Sequence, residues 1–131
     1  MHFRHYAWHR LGKSAARGRV SVRMTVARTP LAADIERELT SWEAVEAHPH
    51  RFGGVEFRIG RRELGHLHGD RFADLPFPRR IRDELIAQGR ARPHHVLPES
   101  GWLTVPIDDV AALIELFRIG YDRATAAQAR A

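Results

Sequence analysis

From Val55 to His68 the chain alternates with a period of two. Val55, Phe57 and Ile59 interleave with Glu56 and Arg58, and after Gly60-Arg61-Arg62 the alternation resumes through Leu64, His66, Leu67 and His68. That period, interrupted by a short glycine-containing turn, specifies two antiparallel strands. Two registers satisfy it. A two-residue loop would place Leu64, His66 and His68 on the side of Val55 and Phe57. A three-residue loop, Gly60 to Arg62, sets Glu56 opposite His66 and leaves Val55, Phe57, Gly65 and Leu67 on the other side. The second is expected, because a one-residue slip would bury ionisable side chains. The hairpin then has one apolar face and one carrying Glu56, Arg58, His66 and His68.

The segment around this hairpin is also the richest in chemistry: residues 48–70 hold four histidines, two glutamates and four arginines. A chain of 131 residues, 44% hydrophobic and 28% charged, has room for one core, placed here over residues 29–123. No apolar run approaches the roughly 20 residues of a bilayer span, and no secretory signal pattern opens the chain, so a cytoplasmic protein is expected. The absence of cysteine removes thiolate nucleophiles, disulfides and Cys-ligated zinc.

The net charge of +5 is unevenly spread. Residues 1–28 contain seven basic residues and no acid, whereas the remainder has fourteen basic against sixteen acidic groups. The basicity therefore belongs to a tail, expected to be disordered or to precede a true start at Met24. Phe3, Tyr6 and Trp8 among its arginines would suit nucleic acid only through that tail.

Beyond the tail, Leu31, Ile35, Leu39 and Trp42 fall at helical spacing, and Thr29-Pro30 suits a cap and first turn. Val45 to Phe52 reads as extended, and Asp74-Leu75-Pro76-Phe77-Pro78 as punctuation after the hairpin. Arg79 to Gln88 is a short helix stopped by Gly89. Pro93 to Gly101 is a loop, and Trp102 to Ile107 a strand. Asp108-Asp109 caps a last helix whose stripe is Val110, Leu113, Ile114, Phe117 and Tyr121, with residues 124–131 frayed. Trp42, Trp102, Phe57 and Phe117 are assigned to the core. This order specifies an α+β fold: an antiparallel β-sheet meander with N- and C-terminal helices packed on one face. The charged face of the hairpin is then left free.

The motifs His48-Pro49-His50-x-x-Gly53-Gly54-x-Glu56-Phe57, Arg61-Arg62-Glu63-x-Gly65-His66-x-His68-Gly69, Asp74-Leu75-Pro76-Phe77-Pro78 and Pro93-His94-His95-x-Leu97-Pro98-x-Ser100-Gly101-Trp102 closely resemble those of small bacterial luciferase-domain proteins. The resemblance runs from about Leu31 to Asp122. It implies kinship with fungal luciferases, which oxidise a hydroxypyrone with molecular oxygen and need no metal or flavin. Trp42-Glu43-Ala44-Val45 departs from the family's Trp-Pro-Gly-Val turn, and Arg92 stands where an acid is common. The element order is also similar to the double-wing, frataxin-like layout of YjbR/MmcQ-type proteins.

Four functional readings follow. A sheet face lined by His, Arg and Glu suits a small-molecule ligand, and this is the leading expectation. In a cofactor-independent oxygenase, His66 or His68 would be the base, Glu56 would orient it and Arg58 would hold the substrate anion, so that His66, His68, Glu56 and Arg58 are the catalytic candidates. Binding then falls to His50, Arg51, His94 and His95. No cofactor is expected beyond molecular oxygen as co-substrate. A divalent metal on His66, His68 and Glu56, with Glu63 as a further candidate ligand, is the third reading, since histidines at i and i+2 share a strand face. The fourth is DNA binding by a double-wing protein. Asp74 is read as fixing the exit of the hairpin, and Ser100 lacks the setting of a nucleophile.

Overall fold

The computed structural model describes residues 31–51 and 53–130. The basic tail with Phe3, Tyr6, Trp8 and Met24, the Thr29-Pro30 cap, and Phe52 lie outside the described residues.

In chain order the elements are helix α1 (Leu31–Thr40), strands β1 (Val45–Pro49), β2 (Val55–Ile59), β3 (Arg62–His68) and β4 (Phe72–Pro76), helix α2 (Arg79–Ala87), strands β5 (Arg92–Pro93) and β6 (Trp102–Pro106), and helix α3 (Val110–Arg130). The six strands form one sheet in the order β1-β2-β3-β4-β6-β5, with every neighbouring pair antiparallel. The α+β meander expected from the sequence is the fold of the chain. Ile35 and Leu39 of α1 and Leu113, Ile114 and Phe117 of α3 are buried with Phe57, Leu67, Leu75 and Leu103 of the sheet. Phe117 meets Phe57 edge-on, their ring centres 5.6 Å apart. The first turn of α1 receives a capping contact from far along the chain: the Ala32 N–H donates to Asp70 Oδ1 at 2.8 Å. Asp109 performs that role locally for α3, accepting the Ala112 N–H at 3.1 Å. No described helix is long and apolar enough to cross a membrane.

The hairpin register combines the two readings. Ile59 pairs with Arg62, so the loop is the two residues Gly60 and Arg61, not three. The pairing then shifts: Arg58 faces Glu63, but Phe57 faces Gly65 and Glu56 faces His66. Leu64 is thus an extra residue on β3, a β-bulge that restores the expected Glu56/His66 pairing. In a regular strand Glu63 and His66 would point to opposite faces, being three residues apart. The bulge brings them together.

Three further expectations are corrected. The Asp74-to-Pro78 segment is not merely punctuation: Phe72–Pro76 is a central strand, hydrogen-bonded to β3 and β6, and Pro76 closes its end. Helix α3 does not fray after Asp122 but continues to Arg130, because Ala124 is fully buried against the core. Trp102 is half-buried, not core, and packs beside His66 and His94. In the turn after α1, a left-handed position (φ 70°) falls on Ala44, a residue with a Cβ.

Candidate functional site

Strand pairing lays a polar row across one face of the sheet. His48 pairs with Glu56, Glu56 with His66, His66 with Asp74, Asp74 with Thr104, and Thr104 with Arg92. Asp74, at the middle, is 1% exposed. A carboxylate this deep must be heavily compensated. Its Oδ1 accepts the Thr104 hydroxyl at 2.8 Å. Its Oδ2 lies 2.9 Å from His68 Nε2 and 3.3 Å from the Nε2 atoms of His66, His94 and His95.

The histidines arrive from two places. His66 and His68 alternate along β3, whereas His94 and His95 come from the loop between β5 and β6. That loop is held by α2, where Arg79 donates to the Glu99 carbonyl at 2.7 Å and Arg82 donates to the Pro98 carbonyl. Together with His50, Arg51, Glu63, Val96, Leu97 and Trp102 these groups line a cavity of about 460 Å³, within the usual size range for small-ligand sites. The His50 ring stacks on His66, centres 3.9 Å apart.

Of the sequence candidates, His50, Arg51, His66, His68, His94 and His95 therefore surround one cavity. Glu56 and Arg58 do not line it. The Arg58 guanidinium is paired with the buried Glu56 carboxylate on β2. The acids that do reach the imidazoles are Asp74 and Glu63. The local signal for Asp74 was the strand pairing opposite His66, which its flanking prolines obscure.

Residues 61–120 hold Glu63, His66, His68, Asp74, His94, His95 and Thr104. Residues 61–120 match the family model of the Luciferase domain. The resemblance seen in the sequence motifs holds over that stretch, so the luciferase-domain signature covers β3 to α3 and every histidine within reach of Asp74. Among curated proteins and solved structures nothing matches the chain.

Electrostatics separates the imidazoles of this site. Burial disfavours a charged His66, but its hydrogen bonds with Asp74 and Glu63 outweigh burial and raise its pKa to about 9. Burial likewise opposes charge on Asp74, yet bonds from His66, Thr104, His68 and His95 hold its carboxyl far below the usual range. His50 is lowered by burial and then by the neighbouring His66, and His94 by burial and then by His95. The raised pKa favours a charged His66 beside Asp74 and Glu63 at neutral pH in the metal-free site.

Three groups of donors among the described residues have the mutual spacing of metal ligands: His50, Glu63 and His66; His66, His68 and Asp74; and Asp74, His94 and His95. Hydrogen bonds discriminate between them. Glu63 Oε2 sits 2.6 Å from His66 Nδ1, which assigns a proton to Nδ1 and leaves the Nε2 lone pair for an ion. That contact also occupies Glu63. His94 is the reverse: its Nδ1 accepts the backbone N–H groups of Val96 (3.1 Å) and Leu97 (2.9 Å), so the proton of the neutral ring is on Nε2. The set His66 Nε2, His68 Nε2 and Asp74 Oδ2 is the one that neither contact excludes.

The raised pKa of His66 has a measurable consequence in chelator-treated protein. A folded-state pKa above the ordinary 6.5 gives stabilisation that is complete below 6.5 and lost as pH rises through about 9. Asp74 loses its contribution only in acid, while His50 and His94 titrate below 6.5. The melting temperature is therefore expected to fall between pH 6.5 and 9, and the His66→Gln variant to show a flatter profile over the same range. An equal slope in both proteins would contradict the assignment.

Proposed function

We propose that this chain is a small-molecule-binding domain built on one divalent transition-metal ion, held by His66 Nε2, His68 Nε2 and Asp74 Oδ2. One observation carries the reading. Four imidazole nitrogens crowd a single carboxylate oxygen at 2.9 to 3.3 Å, more donors than the roughly two lone pairs of one oxygen can serve. Ligand atoms about 2.0–2.2 Å from a common ion lie about 3 Å apart, which is the spacing found here. Glu63 behind His66 and Thr104 behind Asp74 supply the outer bonds that orient metal ligands.

Two histidines and one carboxylate leave coordination positions open, the donor set of non-haem iron(II) oxygenases. Oxidation of an organic anion by dioxygen is thus the reaction class that joins this donor set to the Luciferase-domain match. It departs from the metal-free chemistry that the resemblance implies. The chain's own contributions are the walls of Trp102, Val96 and Leu97, which remove an aromatic or apolar ligand from water, and Arg51 at the cavity, which attracts negative charge.

A second reading keeps the same cavity without metal. His50, neutral and stacked on the charged His66, would then be the base, and His66 would stabilise the substrate anion.

The deciding experiment uses the full chain purified without a polyhistidine tag, titrated with Fe(II), Co(II) and Zn(II) by calorimetry after chelator treatment. One ion per chain is expected. His66→Gln and His68→Gln should abolish binding, and Glu63→Gln should weaken it by about 10- to 100-fold through loss of the orienting bond. A folded protein that takes up none of these ions sinks the metal centre. Oxygen uptake with hydroxypyrone or phenolic substrates, surviving in such metal-free protein, would establish the second reading instead.

A further inference from the structure

Three histidines lie 3.3 Å from the same Asp74 oxygen, and the second nitrogens of two of them, His66 and His94, are tied to opposite kinds of partner. The outer nitrogen of His66 faces a carboxylate, which only accepts. The outer nitrogen of His94 faces two backbone N–H groups, which only donate. Once its ring is neutral, as metal binding requires, His66 thereby presents a lone pair to the cavity, whereas neutral His94 presents an N–H.

We infer that His94 is not a metal ligand but a fixed hydrogen-bond donor beside the metal position, so that the site selects ligands whose metal-bound atom is an anionic acceptor, such as an oxyanion or a small inorganic anion. This rests on the metal centre of His66, His68 and Asp74. A donor 3.3 Å from the metal-binding oxygen of Asp74 is within reach of the atom that occupies the next coordination position.

The loop holds this donor in place before any ligand arrives. Besides the two amides that clamp Nδ1, the Ser100 hydroxyl donates to the Leu97 carbonyl at 2.7 Å and accepts the Trp102 N–H at 3.1 Å. Arg79 and Arg82 anchor the carbonyls of Glu99 and Pro98 from α2. A donor that needs no reorganisation is the arrangement that discriminates most strongly in favour of negative charge. Val96 and Leu97, whose amides make the clamp, expose their apolar side chains (66% and 53%) beside the same cavity. A ligand with an anionic head and an apolar body would meet both.

Two substitutions separate the two ring nitrogens. In His94→Asn the amide oxygen takes the place of Nδ1 and keeps the loop amides satisfied, but nothing reaches Asp74. In His94→Gln the amide nitrogen takes the place of Nε2, and the loop clamp is lost. The full-length proteins are loaded with Co(II) and titrated with azide, read by visible absorption. Co(II) affinity is expected to be the same in all three. Azide affinity should fall about 10- to 100-fold in His94→Asn, the worth of a hydrogen bond to a charged group, and recover in part in His94→Gln.

Loss of Co(II) in His94→Asn would make His94 a ligand and overturn the inference, as would unchanged azide affinity. Histidine-ring nitrogen–proton correlation spectra of the metal-free wild type test the tautomer by themselves: a proton on Nε2 of His94 supports it, and one on Nδ1 overturns it even if the variants do not fold. Failure of the wild type to bind Co(II) at all is a separate result. It removes the metal centre, and with it the donor's role, whatever the tautomer.

Discussion

Replacing Asp74 by Asn is expected to abolish metal binding and, in the metal-free protein, to lower the melting temperature by about 10 °C. The substitution preserves volume, and the amide oxygen can still accept the Thr104 hydroxyl. What changes is the side facing the histidines, where an NH₂ group replaces an acceptor surrounded by four imidazole nitrogens. His66 then loses one of its two carboxylate partners in a buried setting, and breaking a buried pair in this one-sided way costs about 2–4 kcal/mol. The pH profile identifies the cause. With Asp74 neutralised, the decline in stability between pH 6.5 and 9 should shrink, since less then holds His66 above its ordinary value. If Asp74→Asn instead retained stoichiometric metal, the ion would not be held by this carboxylate. If it melted like the wild type, the convergence of imidazoles on Asp74 would not be what compensates the buried charge.

The sequence disclosed the half of this site that lies within one strand. His66 and His68 differ by two residues, and strand geometry alone places them together. The apolar stripes of α1 and α3 and the Asp109 cap are local patterns too, which is why those elements were legible. Asp74 was not. Its neighbours Pro76 and Pro78 are poor strand formers, and its burial depends on β6, whose Thr104 pairs with it from thirty positions further on. Propensity read along the chain has no access to that pairing.

The approach of Glu63 to His66 was hidden for a different reason. A regular β3 would turn it away from His66, and only the extra residue at Leu64 reverses this. The choice between two hairpin registers therefore had no single answer, because the tip follows one and the body follows the other. Glu56 attracted attention by lying opposite His66, as the structure also has it, but residue type and register do not reveal that Arg58 occupies its carboxylate. His94 and His95 were visible as a pair. Their direction was not, since it is set by backbone amides and by arginines of α2.

Two adjacent glycines offer the sharpest separation of local strain from long-range contact. Both adopt left-handed conformations, Gly53 at φ 95° and Gly54 at φ 83°, in the turn that joins β1 to β2. A Cβ on Gly53 would meet nothing within 4 Å, whereas one on Gly54 would stand 1.9 Å from the Leu67 carbonyl oxygen. Gly53→Ala should therefore cost only the conformational penalty of about 1–2 kcal/mol. Gly54→Ala bears the same penalty and must also force two backbones apart, for a total expected at about 3–5 kcal/mol. Leu67 lies between His66 and His68, and the turn carries His50, whose N–H donates to the Gly54 carbonyl at 3.1 Å. Pushing on Leu67 thus moves both imidazoles of β3 and the His50 ring stacked on His66, so Gly54→Ala should weaken the proposed Co(II) binding while Gly53→Ala leaves it intact. Denaturant unfolding and Co(II) titration of the two variants measure this directly. Equal losses of stability would mean that the approach of Gly54 to Leu67 contributes nothing beyond the shape of the turn.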